Sequence, residues 1–354
     1  MPPETTMTPI RLYLLGAGGV GREVLRQLGE LRGTTPRPFR LCGLANSRHM
    51  RLAEDGIPFG VSATALDSAP TLDLAKYRDF VADSPGARVI IDTTASDAVA
   101  ETLCALREHG VIIVAANKHP FAGRQDVFDR LTTPQSDGRP GCYFETTAGA
   151  GLPVVQTVIS MTNCGDVIHR IEGLFSGTLT FVLDQVRQGV GLKDALRRAF
   201  ELGYTEPDPR EDLSGMDVGR KLLILARAAR ARLEPEDVSI VSLLDPSLAD
   251  VALSAFWERA SIMDEPMAEA AESAHGQGGS LAYLARFEGR SAQVSLQAVS
   301  AAHPAAGVQG TDNVFAITSE RYPSPLVIRG AGAGREVTAQ GVVSDILLAG
   351  SRLL

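Results

Sequence analysis

The run IRLYLLGAGGVGREVLRQLGEL, residues 10–31, joins an apolar strand to an amphipathic helix through a glycine-rich turn. Gly16, Gly18 and Gly21 fit the pattern G-x-G-x-x-G, with Gly19 and Val20 completing the turn. In such a turn the first glycine permits the tight reversal and the second lets the backbone approach a pyrophosphate. The third lets helix and strand pack closely, with the helix N-terminus facing the anion. Val20, Val24, Leu25 and Leu28 give the following helix its apolar face, so the pattern sits in the strand–turn–helix context that the motif requires.

Further strand–helix units follow, and together they predict an α/β, Rossmann-type dinucleotide-binding domain. The second strand, FRLCGLANSR, spans residues 39–48 and ends in Ala45, Asn46, Ser47 and Arg48. A site for NAD usually ends this strand with an acid on the ribose hydroxyls. Here Ser47 and Arg48 stand there instead, which suits a 2′-phosphate and makes NADP plausible beside NAD; the alternative is that Arg48 only closes a loop. The segment 88–92 predicts another strand, ending at Asp92-Thr93-Thr94-Ala95-Ser96, and 111–116 predicts the next, ending at Asn117-Lys118. Ligands of open α/β sheets gather at the carboxyl ends of strands, so both polar clusters share a rim with the glycine turn. Lys118 is therefore expected over the cofactor cleft rather than in solvent.

At 354 residues the chain is long enough for two domains. Hydrophobic residues at 44% allow a large core, and charged residues at 21% argue against global disorder. The net charge of −8, with no basic stripe, predicts no nucleic-acid partner and no anionic membrane surface. No apolar run reaches membrane-spanning length, and the start MPPETTMTPIR lacks the pattern of a signal peptide. A cytoplasmic soluble protein is expected. The four cysteines, Cys42, Cys104, Cys142 and Cys164, form no CxxC pair and no zinc spacing; Cys42 and Cys142 read as buried structural thiols.

The stretch CYFETTAGAGLP places Glu145 in a glycine-rich turn. A carboxylate with exposed carbonyls suits a monovalent or hard cation, and equally suits a simple pairing of Glu145 with a base or with the turn. IHRIEGLFSGTLTFVLDQVRQG predicts strand, Ser-Gly-Thr turn and helix, and GLKDALRRAFELG predicts an amphipathic helix stopped by Gly203. In GYTEPDPREDLSGMDVGRKL, Pro207 and Pro209 predict a loop over 204–212, and Ser214 is the expected N-cap of a helix from Gly215 to Ala231. On that helix Asp217 and Lys221 are four apart at the edge of an apolar stripe of Val218, Leu222, Leu225 and Ala229. A partly desolvated lysine held by a carboxylate can pass a proton to or from an alcohol. An ordinary salt bridge is the plainer reading of one such pair. It weakens with Glu206 and Asp212 nearby, because a cluster of acids attracts a cationic substrate.

Taken together, GAGGVG, LANSR, DTTAS, the pair Asn117-Lys118, ETTAGAGLP, GLFSGTLTFVL, GYTEPDP-x-x-D-x-x-G-x-D-x-x-x-K and GAGAGREVTAQGVVSDI resemble the homoserine dehydrogenase family, in its short type without a fused aspartate kinase. The likeness covers nearly the whole chain, and residues 203–221 carry its most specific part. It implies interconversion of homoserine and aspartate 4-semialdehyde with NADP or NAD, on the route to threonine and methionine. It further implies that Glu206 and Asp217 bind homoserine, that Asp212 lines the pocket, that Lys221 is the proton donor and that Lys118 lies beside cofactor and substrate. Glu145 with the carbonyls of Ala148, Ala150 and Leu152 matches a sodium site. Thr94 and Ala95, Gly203, Gly332 and Gly334 match cofactor neighbours. Gly177-Thr178-Leu179-Thr180 departs from the family's usual Gly-Thr-x-Asn, and Thr205 and Pro207 flank Glu206 where alanines are common.

The resulting expectation is a dinucleotide-binding domain over 1–150 plus 321–354, and a second α+β domain over 151–320 for substrate binding and dimerisation. Strands at 281–287 and 292–299 are expected there, with a Gly/Ser-rich loop at 272–280 and a homodimer interface on the apolar strand 168–175. Two rivals are weighed. A cysteine-dependent semialdehyde dehydrogenase needs an activated thiol beside a base, and no cysteine here has that setting. A non-catalytic NADP-sensing protein needs no Asp217–Lys221 pair.

Overall fold

The computed structural model describes residues 8–31, 37–60, 64 and 66–353. Residues 1–7, read above for a signal peptide, lie outside the described residues. The chain divides into two compact units, Met1–Gly151 with Gly334–Leu354, and Leu152–Ala333.

The first unit runs β1 (Ile10–Leu15), α1 (Gly19–Glu30), β2 (Phe39–Ala45), β3 (Met50–Ile57), α2 (Leu74–Asp83), β4 (Arg88–Asp92), α3 (Ala100–Glu108), β5 (Ile112–Ala115), α4 (His119–Ala122), α5 (Gln125–Thr132) and β6 (Cys142–Tyr143). A 3-10 turn at Glu145–Thr147 follows. The second unit runs α6 (Val155–Asn163), β7 (Ile168–Leu174), α7 (Gly177–Arg187), α8 (Leu192–Glu201), α9 (Pro209–Leu213), α10 (Met216–Ala228), β8 (Val238–Ile240), α11 (Leu253–Arg259), α12 (Asp264–Gly276), β9 (Gly279–Glu288), β10 (Ser291–Ser300), β11 (Asp312–Ser319) and β12 (Leu326–Ala331). The chain then returns to the first unit as α13 (Arg335–Ser351).

Among the described residues the first unit holds a six-stranded sheet in the order β3-β2-β1-β4-β5-β6. Its strands pair in parallel except β2 with β3. The order reverses at β1, so a crevice opens beyond the carboxyl ends of β1 and β4, where the glycine turn leaves the sheet. The β1 residues Ile10, Leu12 and Leu14 are fully buried. They share a core with Val24 and Leu28 of α1 and with Val342 and Ile346 of α13. The edge strand β3 was not expected. Its sequence, MRLAEDGI, mixes charge with apolar residues and shows no clean alternation.

The second unit carries a mixed sheet in the order β12-β11-β7-β9-β10-β8, antiparallel except where β8 runs parallel to β10. Phe175, just past β7, stacks on Phe315 of β11 with ring centroids 4.5 Å apart. The architecture is the α/β fold with a second α+β domain.

Several local expectations are corrected. Residues 321–333 stay with the second unit, because β12 pairs with β11 from Leu326 to Ala331. Residues 209–213 are a short helix rather than loop: Pro209 takes the first helical position, where a missing N–H costs nothing, and Asp208 caps it by accepting from the Arg210 amide at 3.0 Å. Gly215, not Ser214, is the N-cap of α10; its φ is +73°, and a Cβ there would stand 2.1 Å from the Tyr283 hydroxyl. That helix ends at Ala228 rather than at 231. The segment 272–280 is mostly helix and strand, since α12 continues to Gly276 and β9 begins at Gly279. Cys42, Cys104 and Cys142 are buried, and Cys164 is exposed.

Candidate active site

The glycine turn of the first unit leaves no space for side chains where the motif demands none. Gly16 has φ of +96°, and a Cβ on it would lie 2.6 Å from the Thr93 carbonyl carbon. One on Gly21 would lie 2.2 Å from the Gly16 carbonyl oxygen. Gly18 is open by contrast, with nothing nearer to such an atom than 4.0 Å, so a ligand can reach its backbone. No side chain caps α1, and its first turn carries no acid, which leaves the helix amides available to an anion.

The carboxyl ends of β4 and β5 are tied together by one buried network. Asp92 accepts from the Thr94 amide at 2.9 Å, the Thr94 hydroxyl at 2.7 Å and the Asn117 side-chain amide at 2.9 Å. Asn117 also donates to the Ser96 carbonyl at 2.7 Å. Burial pushes the Asp92 carboxyl above its ordinary range, against the pull of these donors. Thr94 and Ala95 are thus presented at the rim by a rigid base, and Lys118 follows Asn117 there, partly buried at the head of α4. Ser47 and Arg48 form the exposed tip between β2 and β3. Asn46 holds that tip by accepting from the amides of Arg48 and His49 at 2.8 and 2.7 Å.

Glu145 opens the 3-10 turn, and its amide donates to Asp345 of α13 at 3.1 Å. Asp345 is only 7% exposed; burial, with the Glu145 charge adding to it, pushes its carboxyl up to about 7. Further on, Gly149 has φ of +83° and Ala150 φ of +53°. Two consecutive left-handed residues turn carbonyls in ways that regular structure cannot, and the second is a strained position for alanine. Carboxylates beside such a turn fit a cation held by oxygen. Among the described residues no group of three or more His, Cys, Asp or Glu is poised on a metal.

In the second unit the acidic segment resolves into separate tasks. Gly203 ends α8 with φ of +72°: its amide donates to the Phe200 carbonyl at 3.0 Å, and that of Tyr204 to the Ala199 carbonyl at 2.9 Å. This is the helix stop that glycine favours. Asp208 is consumed by Arg210, whose guanidinium also reaches the carbonyls of Ala249 and Val251 at 3.0 and 2.6 Å. Asp212 accepts from the Glu206 amide at 2.8 Å. Burial pushes its carboxyl up to about 6 against the Glu206 amide and the Thr178 hydroxyl, with the charges of Glu206 and Asp217 adding to the rise. Thr178 donates to the Tyr204 carbonyl at 2.6 Å, so α7 fixes the segment from behind. Thr180, at the family's usual Asn, turns back on its own helix and donates to the Ser176 carbonyl at 2.7 Å.

Lys221 is 8% exposed. Its ammonium stands 2.7 Å from Asp217 and donates to the Phe175 carbonyl at 2.8 Å. The i,i+4 spacing supplies the first contact, and the irregular chain after β7 supplies the second. Asp217 is half exposed at 48%, so the pair has one wet end and one dry end. This arrangement brings three carboxylates, a held ammonium and a threonine hydroxyl together. It suits a small substrate with an ammonium group and an alcohol. Sequence reasoning missed Thr178 as a partner of Asp212, and Asp345 as a partner of Glu145; both act across long sequence separations that no local pattern reports. Gly332 is buried, and a Cβ on it would meet the Asn313 side chain at 2.0 Å; it belongs to the second unit, whereas Gly334 opens α13 in the first.

A family model described as homoserine dehydrogenase matches residues 153–347, and one described as homoserine dehydrogenase, NAD binding domain, matches residues 16–145. A homoserine dehydrogenase of Emericella nidulans is 35% identical over 98% of this chain and 99% of its own. A chloroplastic bifunctional aspartokinase/homoserine dehydrogenase of Zea mays is 35% identical over 98% of this chain, which spans 39% of that relative's length. Among solved structures, a protein of unknown function from Candida auris superposes with a TM-score of 0.89 at 29% identity, covering 98% of this chain and 99% of its own. A hyperthermophilic archaeal homoserine dehydrogenase in complex with NADPH shares the fold, with a TM-score of 0.74 at 19% identity over 98% of both chains. With both of its units matched and a near full-length relative at this identity, the chain belongs to the homoserine dehydrogenase family.

Proposed function

We propose that this chain interconverts L-homoserine and L-aspartate 4-semialdehyde, drawing on NAD or NADP, in the biosynthesis of threonine and methionine. The observation that carries the reading is the Lys221 ammonium, shut between Asp217 and the Phe175 carbonyl beside Asp212 and Glu206. The acids receive the substrate ammonium: Glu206 and Asp217 bind it, and Asp212 lines the pocket. Lys221 handles the alcohol proton, donating it to the carbonyl oxygen on reduction, and Asp217 keeps its ammonium aimed. The nicotinamide, when bound, supplies or accepts the hydride. Gly16, Gly18, Gly19, Val20 and Gly21 receive the cofactor pyrophosphate, and Thr94, Ala95, Lys118, Gly203, Gly332 and Gly334 are its further neighbours in this reading.

The finer parts of the proposal rest on separate features. NADP is accepted at least as well as NAD, because the tip after β2 offers Ser47 and Arg48 and no acid. Arg48→Ala is expected to weaken NADP about tenfold or more and NAD little; equal losses would make Arg48 structural. A monovalent cation, sodium, is held by Glu145 and the carbonyls of Ala148, Ala150 and Leu152, a reading supported by the left-handed backbone at 149–150. A cytoplasmic homodimer completes the proposal. Its interface strand, β7, is less apolar than expected, since Glu172 pairs with Arg286 at 2.8 Å.

The decisive experiment is a spectrophotometric assay of the purified chain with homoserine and either cofactor. Growth of reduced nicotinamide that requires homoserine supports the reading. Cofactor binding without turnover would overturn it in favour of a sensing protein.

A further inference from the structure

Arg335 is the first residue of α13, and its side chain lies across the start of α1. Its Nε stands 3.1 Å, and its Cζ 3.5 Å, from where a Cβ on Gly19 would be. Gly19 is the first residue of α1, so the guanidinium meets the helix where four backbone amides lack partners. That end of a helix carries a positive partial charge, and a cation placed on it is repelled. On α1 itself nothing relieves the repulsion, and the one acid beside Arg335 in sequence, Glu336, makes no ion pair with it. Gly18 gives no side-chain cap, and the first turn of α1 has no acid. Glu23, one turn on, is engaged by Arg26 at 2.6 Å and Gln27 at 2.9 Å. Gln27 also donates to the Glu336 backbone carbonyl at 3.1 Å, which holds the start of α13 against α1. The Arg335 side chain is exposed and makes no hydrogen bond or ion pair among the described residues.

Two like charges held together by the fold are stable once an anion lies between them. The glycine turn already falls within the matched dinucleotide-binding model, residues 16–145. What remains unassigned is the cation beside it, which comes from outside that match. We propose that Arg335 binds the pyrophosphate of the cofactor, sharing it with the amides at the start of α1. The glycine at position 19 then has a purpose beyond the turn, since a side chain there would crowd the guanidinium, whose Nε already stands 3.1 Å from where its Cβ would be. The 2′-phosphate is a poorer candidate, because the ribose site lies at the end of β2.

The proposal rests on cofactor binding at this turn, and the experiment separates the two. Calorimetry measures the affinities of NADP, NAD, ADP-ribose and adenosine 2′-phosphate for the wild type, Arg335→Ala and Arg335→Lys. Arg335→Ala should weaken the three pyrophosphate ligands by a common factor of about tenfold or more. Adenosine 2′-phosphate should change less than about twofold, and Arg335→Lys should recover part of the loss as a point charge without the fork. The losses should shrink as salt is raised, since the site is open. Removing an exposed arginine that the end of α1 repels should not lower the melting temperature, which checks folding. Unchanged ADP-ribose affinity in Arg335→Ala overturns the proposal, and so does a loss confined to NADP and adenosine 2′-phosphate. Failure of the wild type to bind any pyrophosphate ligand overturns the cofactor reading itself, and the Arg335 assignment falls with it.

Discussion

Lys221 has few places to go. Its ammonium is fixed by Asp217 and by the Phe175 carbonyl, and its stem runs through the buried face of α10. Proton transfer by a positioned group contributes about 10²–10⁴-fold, so Lys221→Ala should lower turnover by that order while cofactor affinity stays near normal. A loss below about tenfold in steady-state kinetics would pass the role to Lys118. Asp212 gives a prediction about pH. Its carboxyl titrates at about 6 in the folded chain, above its ordinary value of 3.8. The unfolded chain therefore ionises first at this group, so the contribution of Asp212 to stability is fully present below about pH 4 and is lost as pH rises through about 6. Asp212→Asn should be no more stable than wild type at pH 4 and more stable at pH 7, read from melting temperatures across that range. A constant difference at all pH would mean that the raised carboxyl is not the source. The Asp217–Lys221 pair is legible in the sequence because helical spacing makes them neighbours. The state of Asp212 is not, because it depends on Thr178 from α7 and on the burial that the whole unit provides.

At the scale of elements, close approach rather than propensity governs the cofactor turn. A Cβ at Gly21 would sit 2.2 Å from the Gly16 carbonyl oxygen and 2.8 Å from the Thr93 hydroxyl. Gly21→Ala must open α1 away from β1. Such overpacking costs about 1–3 kcal/mol, and it also moves the amides that face the anion. The expected outcome is a lowered melting temperature together with NADP binding weakened at least about tenfold, measured by calorimetry. Binding at wild-type strength would show that the turn tolerates the methyl. The elements legible in advance are α1, whose apolar residues follow the helical period, and β1, β4 and β5, whose short, nearly continuous apolar runs mark strands of a parallel sheet covered on both faces. Those misread depend on exceptions. Pro209 starts a helix that it was expected to prevent, because at the first helical position its missing donor is not needed. Gly276 and Gly278 suggest a break at 272–280, yet α12 runs through the first half of that segment on residues such as Ala274, 1% exposed.

On the scale of the whole molecule, the first unit is built from two stretches of chain, and α13 completes its core. Val342 and Ile346 are fully buried against the face of β1, α1 and β4. Removing one such side chain typically costs about 1–4 kcal/mol, and removing several approaches the 5–15 kcal/mol that holds an ordinary domain together. A chain cut after Ala333 should therefore lose its first unit. Limited proteolysis should digest residues 10–143 rapidly in that variant and slowly in the full chain; equal resistance would show that α13 is an accessory. The sequence does show that the tail returns, through the glycine turn before its helix. The point of return is not legible, because β12 is apolar enough for either sheet and only its pairing with β11 assigns it. The same arrangement sets a schedule for synthesis. A ribosome delivers β1 to β6 early, then all of the second unit, and only then α13. The first unit thus waits through the making of residues 152–333 with its apolar sheet face unfinished. Domains ordinarily fold as they emerge, N-terminal first. Here the later-made unit is free to finish first, and the earlier-made one keeps an apolar, aggregation-prone face until α13 arrives.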